Sequence, residues 1–199
     1  METEIYTCAE CFRDYDNMWA MANHKCKKVR VLNIGCGNDF YGTDRIDLYK
    51  TPATTKVCNV EKGLPYPNNT FDFIKAEQVL EHLKNIGTFI DECYRVLKPN
   101  GKIWLKTDNA GFILFHISKR FEHNRILERW YENNSFKHRQ GTDRHYCLFT
   151  KTHLEGLFSK FSNVKTTYAY MKPSYLKNLL LRKLPFDLGA SQIEVYAIK

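Results

Sequence analysis

At 199 residues and 43% apolar, the chain fits one domain, large enough to bury roughly two-thirds of its unfolded surface. No run of eighteen apolar residues offers a membrane-crossing helix. The net charge of +8 is uneven: residues 1–100 carry 13 Lys+Arg against 14 Asp+Glu, and residues 101–199 carry 17 against 8, so the basic surface belongs to the second half. Such a bias suits an anionic partner, or simply a solvated basic face.

Residues 1–28 read as a polar, partly helical N-terminal cap, and residues 29–199 as the main domain. Seven cysteines at irregular spacing, with no leader visible, favour reduced thiols and a cytoplasmic location. Cys8 and Cys11 have the two-residue gap of a zinc half-site. His24 and Cys26 are separated by one residue, where two to five are usual, so no metal is expected there.

The rhythm then changes. "VRVLNIG" (29–35) is a short apolar strand stopping at glycines, "DRIDLY" (44–49) a second strand, "KVCNV" (56–60) a weak third and "FDFIKAE" (71–77) a fourth. In residues 79–97, Leu80, Leu83, Ile86, Phe89, Ile90, Cys93, Tyr94 and Leu97 recur at helical spacing until "KPNG" ends the run. "KIWLKT" (102–107) is a fifth strand. Strands alternating with helices imply a parallel sheet. Further on, residues 112–134 read as helical, 151–161 as an amphipathic helix, and 163–172 and 191–199 as alternating strands.

Gly35 and Gly37 follow the first strand, where ligands bind in such sheets. A dinucleotide fingerprint would place a third glycine where Phe40 stands, and no Gly-Lys-Ser/Thr follows, so neither a pyrophosphate nor a Walker site is indicated. A nucleoside without phosphates is the expected ligand. About nine residues separate Gly35 from the second strand, fewer than a crossover containing a full helix takes. Either the first helix shrinks to about a turn, or the second strand starts later.

"VLNIGCGND", the acid in "RIDLY", "GLPYPNNTFDFIKAEQVLEHL" and "ECYRVLKPNGKIWLKTDN" together resemble the class I S-adenosylmethionine-dependent methyltransferases. The resemblance spans residues 29–108 in order, and "DRHYCLFTKTHLEGLF" (143–158) resembles the way those enzymes re-enter their sheet. It implies a Rossmann-like, seven-stranded α/β fold, mostly parallel with the last strand antiparallel. It also implies S-adenosylmethionine as cofactor and S-adenosylhomocysteine as product. Asn33, Gly35, Cys36 and Gly37 would line the methionine and ribose, and Asp47 would accept both ribose hydroxyls. Asn59 would face the adenine amino group, Leu48 and Val60 would also bind the cofactor, and Glu77 and Gln78 would close the floor below the sulfonium.

Methyl transfer needs an in-line nucleophile in a dehydrated pocket, and a base only where the acceptor holds a proton. His82 and His145 are the candidate bases, with Glu81 or Asp143 to orient them. "AEQV" stands where an Asn/Asp-Pro-Pro-Tyr/Phe motif would indicate adenine methylation. Residues 109–142, where aromatic and basic side chains alternate, and residues 172–190 read as acceptor-side lids. A small-molecule acceptor with an O or N nucleophile is expected. RNA bound through the basic half is the alternative, and a non-catalytic nucleoside-binding module the third reading.

Overall fold

The computed structural model describes residues 6–7, 14–15, 29–113, 145–169 and 183–199. Near the N-terminus, strands β1 (Tyr6–Thr7) and β2 (Asp14–Tyr15) pair antiparallel, where the sequence suggested partly helical structure. Cys8, Cys11, His24 and Cys26 lie outside the described residues.

The core of the molecule is a seven-stranded sheet. Its strands are β3 (Val31–Ile34), β4 (Asp44–Asp47), β5 (Lys56–Val57), β6 (Phe71–Glu77), β7 (Leu97–Asp108), β8 (Ser162–Ala169) and β9 (Gln192–Ile198). They are ordered β5-β4-β3-β6-β7-β9-β8. The five strands from β5 to β7 run parallel, and β9 is antiparallel to both of its neighbours. Every residue of β3 is buried, which explains why its sequence is a continuous apolar run broken only by Asn33.

Helix α1 (Ile86–Val96) buries Phe89, Ile90, Cys93 and Val96. Together with Leu32, Ile74, Ile103, Leu105 and Val195 from the sheet they form one core, which α2 (Lys151–Leu157) joins through Leu154. Thr150 caps α2 by accepting from the His153 amide at 3.3 Å.

Four features depart from the sequence reading. The helix expected over 79–97 is divided: a 3-10 turn at Leu80–His82 precedes α1. Glu61 Oε1 accepts from the amides of Lys84 (2.7 Å) and Asn85 (3.2 Å), taking up donors that a continuous helix would have used internally. Between β3 and β4 there is no helix, only a tight turn in which the Asp39 amide donates to the Cys36 carbonyl at 2.8 Å. Strand β5 stops at Val57 and gives way to a 3-10 turn, Val60–Lys62, capped by Asn59. Strand β7 begins directly after α1, and its register against β6 shifts between Phe71 and Phe73, so "KPNG" bulges instead of separating helix from strand.

The described ends of the two expected lid segments touch. Asn109 is buried and donates to the carbonyls of Asp187 (2.8 Å) and Ala190 (2.7 Å), fastening helix α3 (Phe186–Gly189) beside the end of β7. Residues 114–144 and 170–182, which carry most of both segments, lie outside the described residues. Among the described residues no helix is long and apolar enough to cross a membrane.

Candidate active site

A cavity of about 350 Å³ opens beyond the carboxyl ends of β3, β4 and β6. Gly35, Gly37, Asp47, Leu48, Asn59, Val60, Gln78 and His82, all expected at the site, line it. Its shape starts with the glycines. Gly35 has φ +65°, and a Cβ there would lie 2.4 Å from Val79 Cγ2, so a side chain at this position is excluded twice over. Gly37 has φ +52°, with open space where its Cβ would be.

Asp47 anchors the rim. Its Oδ2 accepts from the Gly37 amide at 2.8 Å and its Oδ1 from the Tyr49 amide at 3.0 Å. Each oxygen keeps a further lone pair, so the carboxylate is held in place and can still accept from a ligand. Thr51 Oγ1 donates to the Gly37 carbonyl, bracing the turn from the other side. Asn59 Oδ1 accepts from the Glu61 amide at 3.0 Å and likewise retains a second lone pair. Gln78 adopts φ +53°, uncommon for a non-glycine residue, with its amide donating to the Lys106 carbonyl at 2.8 Å.

Three expected cofactor contacts do not line the cavity. Asn33 is buried, and its amide donates to Asp39 Oδ2 (3.0 Å) and the Tyr41 carbonyl (3.2 Å), so it holds the loop after the glycines. The Cys36 side chain is also buried; burial pushes its thiol pKa up, and Sγ lies 3.7 Å from Thr54 Oγ1. Glu77 points its carboxylate at Lys75 (3.3 Å) and Lys106 (3.4 Å), ion pairs on its own face of the sheet. The alternation of β6 puts Lys75 and Glu77 side by side there.

At the other end of the cavity, residues far apart in the chain converge. Glu81 is completely buried, and its Oε2 accepts from Thr107 Oγ1 at 2.7 Å. Burial, reinforced by the neighbouring Asp108, raises its pKa to about 7. The Tyr146 amide donates to the Glu81 carbonyl at 2.7 Å and so draws in residues 145–147. His145 Nδ1 then lies 3.1 Å from Asp108 Oδ2, and its ring meets that of His82 edge to face, with centroids 4.6 Å apart. His82 and Tyr146 also line the cavity, which ties this cluster to it. Asp143, the other suggested orienting acid, is outside the described residues.

Asp108, Glu61 and Thr107 were missed in the sequence. An acid at the end of an inner strand was the available signal for Asp108, the same signal that singled out Asp47. Lys84, whose ammonium lies 4.8 Å from the Tyr146 ring centroid at the cavity edge, carried no motif at all.

A family model described as methyltransferase domain matches residues 16–105. The match covers the glycine turn and the anchored Asp47 already described. Over that stretch the chain is similar to S-adenosylmethionine-dependent methyltransferases. A Mycolicibacterium smegmatis relative, named "Probable S-adenosylmethionine-dependent methyltransferase", is 31% identical over 117 residues, covering 49% of this chain and 45% of that protein. The human mitochondrial ubiquinone biosynthesis O-methyltransferase is 37% identical over 107 residues, 41% of this chain and 29% of that enzyme. The chain thus spans less than half the length of these curated relatives.

Solved methyltransferases share the fold at low identity. A methyltransferase from Archaeoglobus fulgidus matches with a TM-score of 0.54 and 15% identity over 86% of both chains. Phosphoethanolamine N-methyltransferase 2 of Haemonchus contortus, in complex with S-adenosyl-L-methionine, matches with a TM-score of 0.58 and 16% identity over 92% of this chain and 51% of that one. The methyltransferase sheet seen in these neighbours is the one built here by β3 to β9.

Proposed function

We propose that the cavity binds S-adenosylmethionine and that the chain transfers its methyl group to an oxygen or nitrogen of a small molecule. The observation that carries this reading is Asp47: a carboxylate fixed by two backbone amides at the rim of a cavity, with a lone pair spare on each oxygen. Adjacent ribose hydroxyls are donors that such a pair of acceptors fits. Asn59 and Val60 border the adenine, and the bare backbone at Gly35 and Gly37 lets the methionine end approach closely.

Held by Asp47, Asn59 and the glycine turn, the cofactor would supply an electrophilic methyl group on a positively charged sulfur for transfer to an acceptor lone pair. The chain's own part is positioning, exclusion of water and removal of a proton. Glu81, His82 and His145 stand where an acceptor entering past Tyr146 would present its hydroxyl or ammonium. A buried carboxyl with a pKa of about 7 suits proton transfer near neutrality. The curated O-methyltransferase relative supports an oxygen acceptor, and the cavity's volume of about 350 Å³ a small one.

Calorimetric titration of the full chain with S-adenosylmethionine and S-adenosylhomocysteine tests the first step. Micromolar binding that is lost in Asp47→Ala supports the reading, and no binding by folded protein overturns it. Transfer of labelled methyl to phenolic or amine acceptors tests the second. Transfer to RNA with a steep salt dependence would replace the small-molecule acceptor, and cofactor binding without any transfer would favour a nucleoside-binding module.

A further inference from the structure

One wall of the cavity holds a donor without a partner. Gln78 follows β6 at φ +53°, and its backbone amide donates to the Lys106 carbonyl at 2.8 Å, which fixes the main chain there. Its side-chain Oε1 accepts from Gln192 Nε2 at 3.2 Å, which turns the carboxamide and leaves its NH₂ end free. That nitrogen is buried and has no hydrogen-bond partner among the described residues, although Gln78 lines the cavity. Buried polar atoms are nearly always paired, so an orphaned donor at a cavity wall points to a ligand that accepts.

Strand order narrows the choice of ligand group. Asp47 ends β4, Gly35 follows β3 and Gln78 follows β6, and these strands lie in the order β4-β3-β6, so Gln78 stands across the glycine turn from Asp47. With the ribose on Asp47 and the adenine near Asn59, the amino-acid end of the cofactor falls on the Gln78 side. Of its two charged groups the ammonium only donates and the carboxylate only accepts, so an NH₂ fits the carboxylate. A helix N-terminus after β3 would offer amides to such an anion, but no helix lies between β3 and β4. The ammonium groups near Gln78 are engaged: Lys75 with Asp39 (2.8 Å) and Glu77 (3.3 Å), and Lys106 with Glu77 (3.4 Å). Lys84 also lines the cavity, but its amide is tied to Glu61, two residues from Asn59, which puts it on the adenine side.

We propose that Gln78 Nε2 donates to the α-carboxylate of S-adenosylmethionine and of its product, in place of the helix N-terminus that this chain lacks after β3. Gln192, which starts β9 opposite Asp108, is the positioning residue that aims the carboxamide. The assignment rests on the cofactor reading given above and adds to it the group that Gln78 recognises.

Two ligands isolate the carboxylate: S-adenosylhomocysteine, and S-adenosyl-3-thiopropylamine, which keeps the amine and lacks the carboxylate. Each is titrated calorimetrically into the full chain and its variants, with circular dichroism and melting as the check on folding. In Gln78→Leu, S-adenosylhomocysteine affinity should fall at least about tenfold, the range of a hydrogen bond to a charged group, while the amine analogue binds as to the wild type. Gln78→Glu sets a carboxylate against a carboxylate, so the loss should grow to about 100-fold for S-adenosylhomocysteine and stay absent for the analogue. Gln192→Ala should cost about threefold, again for S-adenosylhomocysteine alone, and it keeps the test available should the Gln78 variants fail to fold. Equal losses for both ligands, or no loss in the folded variants, would overturn the assignment. Asp47-dependent binding of S-adenosylhomocysteine that ignores Gln78 removes only this contact, whereas no binding by the folded wild type removes the cofactor reading and the contact with it.

Discussion

The two ends of the cavity are built by opposite means. The end proposed to hold the cofactor draws on residues 35–51, and its contacts are mostly backbone: two glycines at positive φ, and amides of Gly37 and Tyr49 donating to one carboxylate. The end proposed for the acceptor gathers Glu81, Thr107, Asp108 and His145 from distant parts of the chain and holds them by buried polar side chains. A site made of backbone shape should fail by steric conflict. A site made of buried charge should fail by losing a partner or a proton. Substitutions at either end therefore test different physics.

The largest expected effect is Gly35→Val. The branched side chain must occupy space 2.4 Å from Val79 Cγ2 while its backbone holds φ +65°. Strain and overpacking together should cost about 3 kcal/mol in urea denaturation. Gly35→Ala combined with Val79→Ala should recover the packing part and leave roughly 1–2 kcal/mol of backbone strain. Recovery to wild-type stability would show that the turn is fixed by Val79 alone and not by its conformation.

Next is Asp47→Asn. The amide keeps the shape but has one acceptor oxygen in place of two, so one of the Gly37 and Tyr49 amides loses its partner and the ligand loses a charged acceptor. Calorimetry should show S-adenosylmethionine affinity falling about 100-fold, in line with roughly 1.5–3 kcal/mol for a hydrogen bond to a charged group. Unchanged affinity would mean that Asp47 serves the turn and not the ligand.

This division also explains what was legible in the sequence. The glycine turn, Asp47 and the apolar spacing of 86–96 are local patterns, readable because residues close in sequence carry the whole signal. The absent first helix was legible only as a shortage of residues, and the turn found there is tighter than the single helical turn expected. Asn33 and Glu77 were placed at the cofactor by resemblance. Their partners, Asp39 for one and Lys75 and Lys106 for the other, are ordinary polar residues without a distinguishing pattern. Glu61 breaks the expected long helix from more than twenty residues upstream, a contact no periodicity reveals. The pairing of His145 with Asp108 likewise exists only after β7 and the segment before α2 have been brought together.

Gly37→Ala sharpens the contrast within the glycine turn. With nothing within 4 Å of the added Cβ, only the backbone conformation at φ +52° is penalised, about 1–2 kcal/mol. The open space there belongs to the cavity, so the methyl group should hinder a ligand more than it hinders folding. S-adenosylmethionine affinity is expected to fall about tenfold while the denaturation midpoint moves modestly. Equal losses in stability and affinity would mean that Gly37 serves the turn and not the ligand.

The smallest expected effect lies outside both ends of the cavity, at Glu92 on α1. Its carboxylate accepts from Arg95 Nε and Nη2, each at 2.7 Å, and from the Leu64 amide at 2.7 Å, while Arg95 also donates to the carbonyls of Leu64 and Tyr66. Arg95, before all else, and then the Leu64 amide hold the Glu92 pKa below its ordinary value against the opposing effect of burial. A depressed folded-state pKa means stability that is present above the unfolded value of about 4.3 and is lost as pH falls through the folded one. Because the pair is partly exposed, the contribution should be discounted to about 1 kcal/mol. Glu92→Gln should therefore lower stability by that amount at pH 7 and by progressively less below about pH 4, with cofactor affinity unchanged. A deficit that stayed constant across this range would assign the role of Glu92 to hydrogen-bond geometry instead of charge, and any change in ligand affinity would show that the loop it anchors reaches the cavity through Glu61.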